Sequence, residues 1–338
     1  MSSIIRGAVL GAIATGVLAI GATASAGSAF AQEIKISHQF KANVDGRDKA
    51  TRLFVKEVNA KDPGIKFRIY PGSSLGIKPV AQLDALQNGT LEMAVFPMSY
   101  AVGKAAEFSA TILPGTIPNL DFAMKLKRTD YKKKLQDLAH ANGIHIMTWW
   151  WTPGGFATKE TPITNPKSVA GMKLRAADPT FEGMLKTAGA SVVSMPSTEI
   201  YPSLQSGVLS GTLTSAETFV SMRLYEQTKH ATVPGNNTLW MLMQPLVMSK
   251  SAWDKLTPTQ QKIFEEAADK SDTFFTGMQR DAVDKMAAAY KKAGGTVHEM
   301  TKAEFDEWLA LAKETSWKEF ADKSPTAKGL LDALLSAK

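Results

Sequence analysis

Arg175 ends the stretch Gly171-Met172-Lys173-Leu174-Arg175, which lies between a turn-rich loop (Thr161 to Pro166) and a helical segment, Thr180 to Thr187, closed by Gly189. This layout makes 172–176 a short strand with Arg175 near its C-terminal end, where open α/β sheets bind ligands. A guanidinium offers a planar fork of donors that stays protonated, suited to two-point capture of a carboxylate. The competing reading is a surface arginine paired with a nearby acid, and this residue alone leaves both open. Gly72-Ser73-Ser74-Leu75-Gly76 matches the G-x-S-x-G elbow of serine hydrolases, with Ser74 as nucleophile and His298 downstream. An elbow serine sits on a turn that runs straight into a helix, whereas here Gly76-Ile77-Lys78 intervenes and only two strands precede it. A secreted hydrolase therefore stays an alternative. The same loop lacks the glycine spacing of a phosphate loop. His140 and His145 straddle a helix end and a strand, so they do not share a helical face. With no cysteine in the chain, a metal site is not expected there. His38 and Gln39 follow the first strand, where a ligand contact and a structural hydrogen bond are equally open readings. In Trp149-Trp150-Trp151, alternation puts Trp149 and Trp151 on one face and Trp150 on the other. They are read as core packing or as an aromatic wall of a cleft.

The elements that must position these residues follow from periodicity. Glu33 to His38 and Ile65 to Tyr70 alternate as strands, Gly46 to Ala60 and Pro79 to Gly89 carry helical spacing, and Met93 to Phe96 is a third strand. This alternation predicts a doubly wound α/β lobe with parallel pairing. A second module has strands at Ile144 to Trp151, before Arg175, at Ser191 to Val193 and at Leu213. Leu86-Gln87-Asn88-Gly89-Thr90-Leu91 and Leu204-Gln205-Ser206-Gly207-Val208-Leu209 repeat one phrase: helix end, glycine cap, step into a strand. Two lobes built alike would face each other across a cleft, with Pro97-Met98 and Thr214-Ser215 at its edges. Thr152-Pro153-Gly154-Gly155 reads as the breakpoint between them. Trp240 to Met248 is an apolar strand, Thr259 to Lys292 one bent helix or two, and Lys302 to Phe320 and Gly329 to Ala337 are amphipathic helices. The lobes are assigned as 32–153 with 244–283 for the first, and 154–243 with 284–338 for the second together with the C-terminal helices.

The chain has 338 residues, 44% hydrophobic and 21% charged, with a net charge of +7 and no cysteine, so disulfides, thiolate metal sites and cysteine nucleophiles are excluded. Its Lys and Arg residues are scattered, without the aromatic interleaving that single-stranded nucleic acid requires. Arg6, the uncharged apolar run Gly7 to Ala22 and the small-x-small site Ala29-Phe30-Ala31 have the layout of a secretory signal over residues 1–31. The expectation is a cleaved, exported, soluble and monomeric protein, free in the periplasm of a two-membrane bacterium.

Six phrases in order carry a resemblance. They are Phe54-Val55-Lys56-Glu57-Val58, Tyr70-Pro71-Gly72-Ser73-Ser74-Leu75-Gly76, Leu86-Gln87-Asn88-Gly89, Gly171 to Arg175, Thr198-Glu199-Ile200-Tyr201 with Leu204-Gln205, and Trp253-Asp254-Lys255-Leu256-Thr257-Pro258. From about Glu33 to Phe320 the chain resembles the substrate-binding proteins of tripartite ATP-independent periplasmic (TRAP) transporters, of the dicarboxylate- and sialic-acid-binding type. The resemblance implies two lobes that close on one organic acid, braced by a long C-terminal helix. It also implies delivery to a permease of one large and one small membrane subunit, no cofactor and no enzymatic activity. Arg175 would bind the carboxylate, with Met98, Tyr100, Trp149, Trp151, Trp240, Thr214 and Ser215 around the ligand. Two departures stand out: about Phe156 lies where many members carry a second arginine, and Ser210 to Thr214 replaces an Asp-Gly-x-Glu-Asn phrase. They suggest a monocarboxylate with an apolar or aromatic body, or a hydroxylated acid. Binding proteins of ATP-driven importers and of sensory systems remain the other readings.

Overall fold

The structure, a computed structural model, describes residues 33–337; the expected signal segment and its cleavage site lie outside them. In chain order the elements are β1 (Ile34–Ser37), α1 (Gly46–Lys61), β2 (Phe67–Tyr70), α2 (Gln82–Gln87), β3 (Met93–Val95), α3 (Leu120–Leu126), α4 (Asp130–Ala141) and β4 (Ile144–Ile146). Then come β5 (Trp151–Thr158), β6 (Lys173–Ala176), α5 (Pro179–Thr187), β7 (Ser191–Ser194), α6 (Ile200–Gln205), β8 (Gly211–Ser215), α7 (Ala216–Ser221), β9 (His230–Val233) and β10 (Trp240–Met243). The chain ends with β11 (Leu246–Ser249), α8 (Lys250–Trp253), α9 (Pro258–Arg280), α10 (Ala282–Lys292), β12 (Thr296–Glu299), α11 (Lys302–Ala312), α12 (Lys318–Ala321) and α13 (Pro325–Ser336).

Two sheets define two lobes. Lobe I has the order β2-β1-β3-β11-β4, with β1 parallel to β2 and β3 and with β11 antiparallel to its neighbours. Lobe II has the order β12-β9-β5-β8-β6-β7, with β6 parallel to β7 and β8, and β10 paired antiparallel to β5. The repeated phrase folds identically in both. Gly89 and Gly207 take left-handed φ values of 75° and 79°, which glycine adopts without a Cβ penalty. Leu91 N–H donates to the Ala85 carbonyl and Leu209 N–H to that of Ser203, each at 3.1 Å.

Before its C-terminal helices the chain crosses between lobes three times: from β4 to β5, from β10 to β11, and where α9 gives way to α10 at Asp281. The expected breakpoint at Thr152 to Gly155 is instead part of β5, a strand buried throughout. Its glycines mark close approach of neighbouring backbone rather than a turn. A Cβ on Gly154 would lie 2.1 Å from the Thr214 carbonyl oxygen, and one on Gly155 2.2 Å from that of Thr232. The strand expected over Ile144 to Trp151 splits at 147–150, and Asp272 of α9 accepts the Trp149 N–H there at 2.7 Å.

The C-terminal helices brace both lobes. Trp308 of α11 stacks on Phe156 of lobe II, whereas α13 packs against α4 of lobe I. The amphipathic α13 returns to lobe I because Leu330, Leu331 and Leu334 need an apolar face to cover. Among the described residues no helix is long and apolar enough to cross a membrane.

Candidate functional site

Arg175 emerges from β6 on the face opposite Leu174 and Ala176, which belong to the apolar cluster that includes Phe156. Its side chain is 1% exposed. Nε and Nη2 donate to the Met195 carbonyl at 2.9 and 2.8 Å, and Nη1 donates to the Leu213 carbonyl at 2.9 Å. Met195 lies just past β7 and Leu213 is on β8, so the guanidinium sits at the carboxyl end of three adjoining parallel strands. These bonds use three of the five N–H groups of an arginine, leaving one on each terminal nitrogen. Among the described residues no carboxylate pairs with it. Desolvation by burial pushes its pKa down, countered by the Tyr100 hydroxyl beside it and by the Coulombic effect of Glu199.

Tyr100 comes from lobe I, on a 3₁₀ turn (Met98–Ala101) that follows β3. Its hydroxyl accepts the Ser197 N–H of lobe II at 3.0 Å and the Gln39 side-chain amide at 3.4 Å. Gln39 Nε2 also donates to Ser197 Oγ at 3.0 Å. Donors from both lobes thus converge on one neutral oxygen next to an unpaired cation. Around them, buried polar atoms stand without partners: Gln39 Oε1, Ser99 Oγ and Thr212 Oγ1, where Thr212 is the β8 residue paired with Arg175. This arrangement can hold an anion by charge and hydrogen bonds. Among the described residues no group of three or more His, Asp or Glu side chains is placed to hold a metal ion.

The structure brings Arg175, Gln39 and Tyr100 together and distributes the other candidates differently. The His38 side chain is fully buried, with Nε2 3.2 Å from Asp48 Oδ1 and Nδ1 accepting the Phe40 N–H at 3.2 Å. Asp48 is held well below the usual carboxylate range. Burial opposes this, but hydrogen bonds from His38, Arg52 and the Asn43 N–H outweigh it. Trp149 and Trp151 share one apolar cluster and Trp150 joins another, as alternation requires. Trp149 Nε1 donates to the Ala123 carbonyl at 2.7 Å, while the indole N–H groups of Trp151 and Trp240 are buried without acceptors. Trp240 packs on Phe181 at 5.1 Å between ring centres, and β10 lies against the turn that carries Met98 and Tyr100. Thr214 is buried on β8, and Ser215 Oγ bonds Thr218 Oγ1 at 2.7 Å at the start of α7. Phe156 stacks on Trp308 at 5.5 Å, on the opposite face of the sheet from the guanidinium. Sequence reasoning missed Met195, Ser197 and Thr212. The signal for them was the strand-end rule already applied to Arg175, extended to the neighbouring strands.

The hydrolase geometry is not formed. Ser74 lies exposed after a 3₁₀ turn (Pro71–Ser73) instead of at a strand-to-helix elbow, and His298 faces Glu304 in lobe II at 2.8 Å.

The family model of bacterial extracellular solute-binding protein family 7 (DctP) matches residues 36–324. A solute-binding protein of Albidiferax ferrireducens is 35% identical over 311 residues, covering 90% of this chain and 91% of its own. The C4-dicarboxylate-binding periplasmic protein DctP of Rhodobacter capsulatus is 27% identical, covering 81% of this chain and 82% of its own. Among solved structures, a TRAP periplasmic solute-binding protein of Rhodoferax ferrireducens with bound malonate superposes with a TM-score of 0.88 at 34% identity. It covers 90% of this chain and 98% of that one. Two lobes of the same build around a buried arginine, together with these matches, place the chain in bacterial extracellular solute-binding protein family 7.

Proposed function

We propose that this protein binds a small organic acid between its lobes, outside the cytoplasm, and delivers it to a TRAP-type membrane permease. The observation that carries this reading is Arg175: a guanidinium buried beyond the reach of water, with carbonyls and a phenol around it and no carboxylate paired with it among the described residues. A buried charge is costly unless paired, so a site that keeps one unpaired is built for a charged partner. The ligand's carboxylate supplies that partner through the two N–H groups of the terminal nitrogens that bond no backbone carbonyl. Gln39 and Tyr100 reach it only when lobe I meets lobe II, so the acid favours the closed arrangement by bonding both.

The remaining open atoms describe the rest of the ligand. Gln39 Oε1 calls for a donor, and the hydroxyls of Ser99 and Thr212 serve as either. A compact acid carrying hydroxyls or a second carboxylate fits this set better than one with an aromatic body, since Phe156 is committed to the core. The relative with bound malonate is consistent with such a ligand. Mass spectrometry of what copurifies, followed by a thermal-shift panel of mono-, di- and hydroxy-acids with their amides, tests the reading. Stabilisation by an acid and none by its amide is expected; equal stabilisation by both would refute a carboxylate site. Deleting the genes of the permease should abolish uptake of the same acid.

A further inference from the structure

His140 and His145, which spacing alone keeps apart, meet in the structure. Gln136 and His140 are one turn apart on α4, and the left-handed Gly143 (φ 73°) folds the chain back so that His145 on β4 returns to them. His140 Nε2 and His145 Nδ1 are 2.9 Å apart, and the Gln136 side-chain amide lies 2.8 Å from the first and 3.1 Å from the second. The amide oxygen is the atom that faces both rings, because its nitrogen then donates to the Ile146 carbonyl.

Hydrogen bonds cannot satisfy this triangle. Each ring nitrogen carries either a proton or a lone pair. If both carry protons, both donate to the amide oxygen and two donors oppose each other. If one carries a lone pair, that lone pair faces the oxygen. One edge is repulsive in every protonation state. A cation accepting all three lone pairs removes the conflict. Metal–nitrogen bonds are about 2.0–2.1 Å, and two such bonds at a right angle place their donor atoms about 2.9 Å apart. The three edges match one face of an octahedron.

We propose that Gln136 Oε1, His140 Nε2 and His145 Nδ1 form a facial binding site for a divalent transition ion, Cu²⁺ or Ni²⁺, on lobe I. Imidazole suits these ions, and the right-angled donor spacing suits their tetragonal and octahedral preference over tetrahedral Zn²⁺. Gln136 and His145 line a groove of 350 Å³ together with Lys132, Glu265 and Asp269. Trp253 stacks on the His145 ring at 4.0 Å between ring centres and fixes its plane. Of the charges nearby, Lys250 is paired with Asp254 at 2.6 Å, which limits its repulsion of the ion; Lys132 opposes the ion, and Asp137 is taken up by Lys133 at 2.8 Å. The site is on β4 and α4 of lobe I, apart from Arg175 of lobe II, and does not rest on the acid-binding reading.

Titration of the mature, untagged chain with Cu²⁺, followed by calorimetry and electron paramagnetic resonance, tests it. One equivalent with a two-nitrogen signature is expected. Affinity should fall at least about tenfold in His140→Ala and Gln136→Ala, with circular dichroism and thermal midpoint unchanged. His145→Asn checks the third donor without emptying the stack on Trp253. Undiminished binding in His140→Ala, which would place the ion on His230 or His298, overturns the proposal, as does the absence of stoichiometric binding in the parent.

Discussion

Arg47 and Arg175 are both sealed from water, yet their surroundings differ in one respect. Arg47, near the start of α1, donates to Asp45 through Nε at 2.7 Å and Nη2 at 2.6 Å, to Gln244 between β10 and β11, and to Thr218 of lobe II at 3.2 Å. Its guanidinium lies 3.7 Å over the Phe40 ring, and Ser221 of lobe II donates to the same Asp45 at 2.7 Å. That cation is neutralised inside the protein and ties lobe I to lobe II beside a crossing strand. Arg175 has the same burial and three hydrogen bonds, but neutral oxygens only. A complete ion pair is structural. The incomplete one, with donors from both lobes beside it, is the feature on which the proposed acid site rests.

The contrast can be broken from either side, and the largest effect is expected at the complete pair. Asp45→Ala leaves Arg47 buried and uncompensated, and should cost about 3–5 kcal/mol of stability in chemical denaturation. The double change Asp45→Leu with Arg47→Met should recover most of it, since a buried pair replaced by apolar side chains is often neutral. Arg175→Met should behave oppositely. Ligand-free stability holds or rises, because an unpaired buried charge has gone. Affinity for the acid should fall by about 2–5 kcal/mol, roughly 30-fold to several thousand-fold, by calorimetry. Tyr100→Phe removes one hydroxyl from the site and should weaken binding by about 0.5–1.5 kcal/mol, with stability little changed. Phe156→Leu should lower the thermal midpoint through the lost stack on Trp308, worth about 0.5–1.5 kcal/mol, and leave affinity and ligand preference intact.

The smallest effect is a pH dependence. Asp48 has a depressed folded pKa, so its contribution is present above its unfolded value of 3.8 and is lost as pH falls below it. Asp48→Asn should flatten the decline of the thermal midpoint on acidification below about pH 4.

Much of this was legible in the sequence because local rules and tertiary packing agreed. The twin glycine caps, the strand ending at Arg175 and the alternation of the three tryptophans all follow from periodicity and backbone preference. What failed depended on long-range contact. Thr152 to Gly155 carries turn residues, yet β8, β9 and β10 press so closely on it that only small residues fit, so it became the middle of a sheet. Phe156 was expected beside the ligand, but the alternation of β5 turns it to the face opposite Arg175. His140 and His145 were separated by their elements and rejoined by one left-handed glycine. His38 was open between two roles until Asp48, ten residues on in α1, was seen beside it.

The most direct test of the Arg175 assignment is a crystal structure of the mature protein with the acid that stabilises it in the thermal-shift panel. The account predicts the ligand's carboxylate across Nη1 and Nη2 of Arg175, with N···O distances of about 2.7–2.9 Å. In the same structure Nε stays on the Met195 carbonyl and Tyr100 reaches the acid from the other lobe. A carboxylate bound elsewhere in the cleft, with Arg175 touching only protein carbonyls and water, would contradict it.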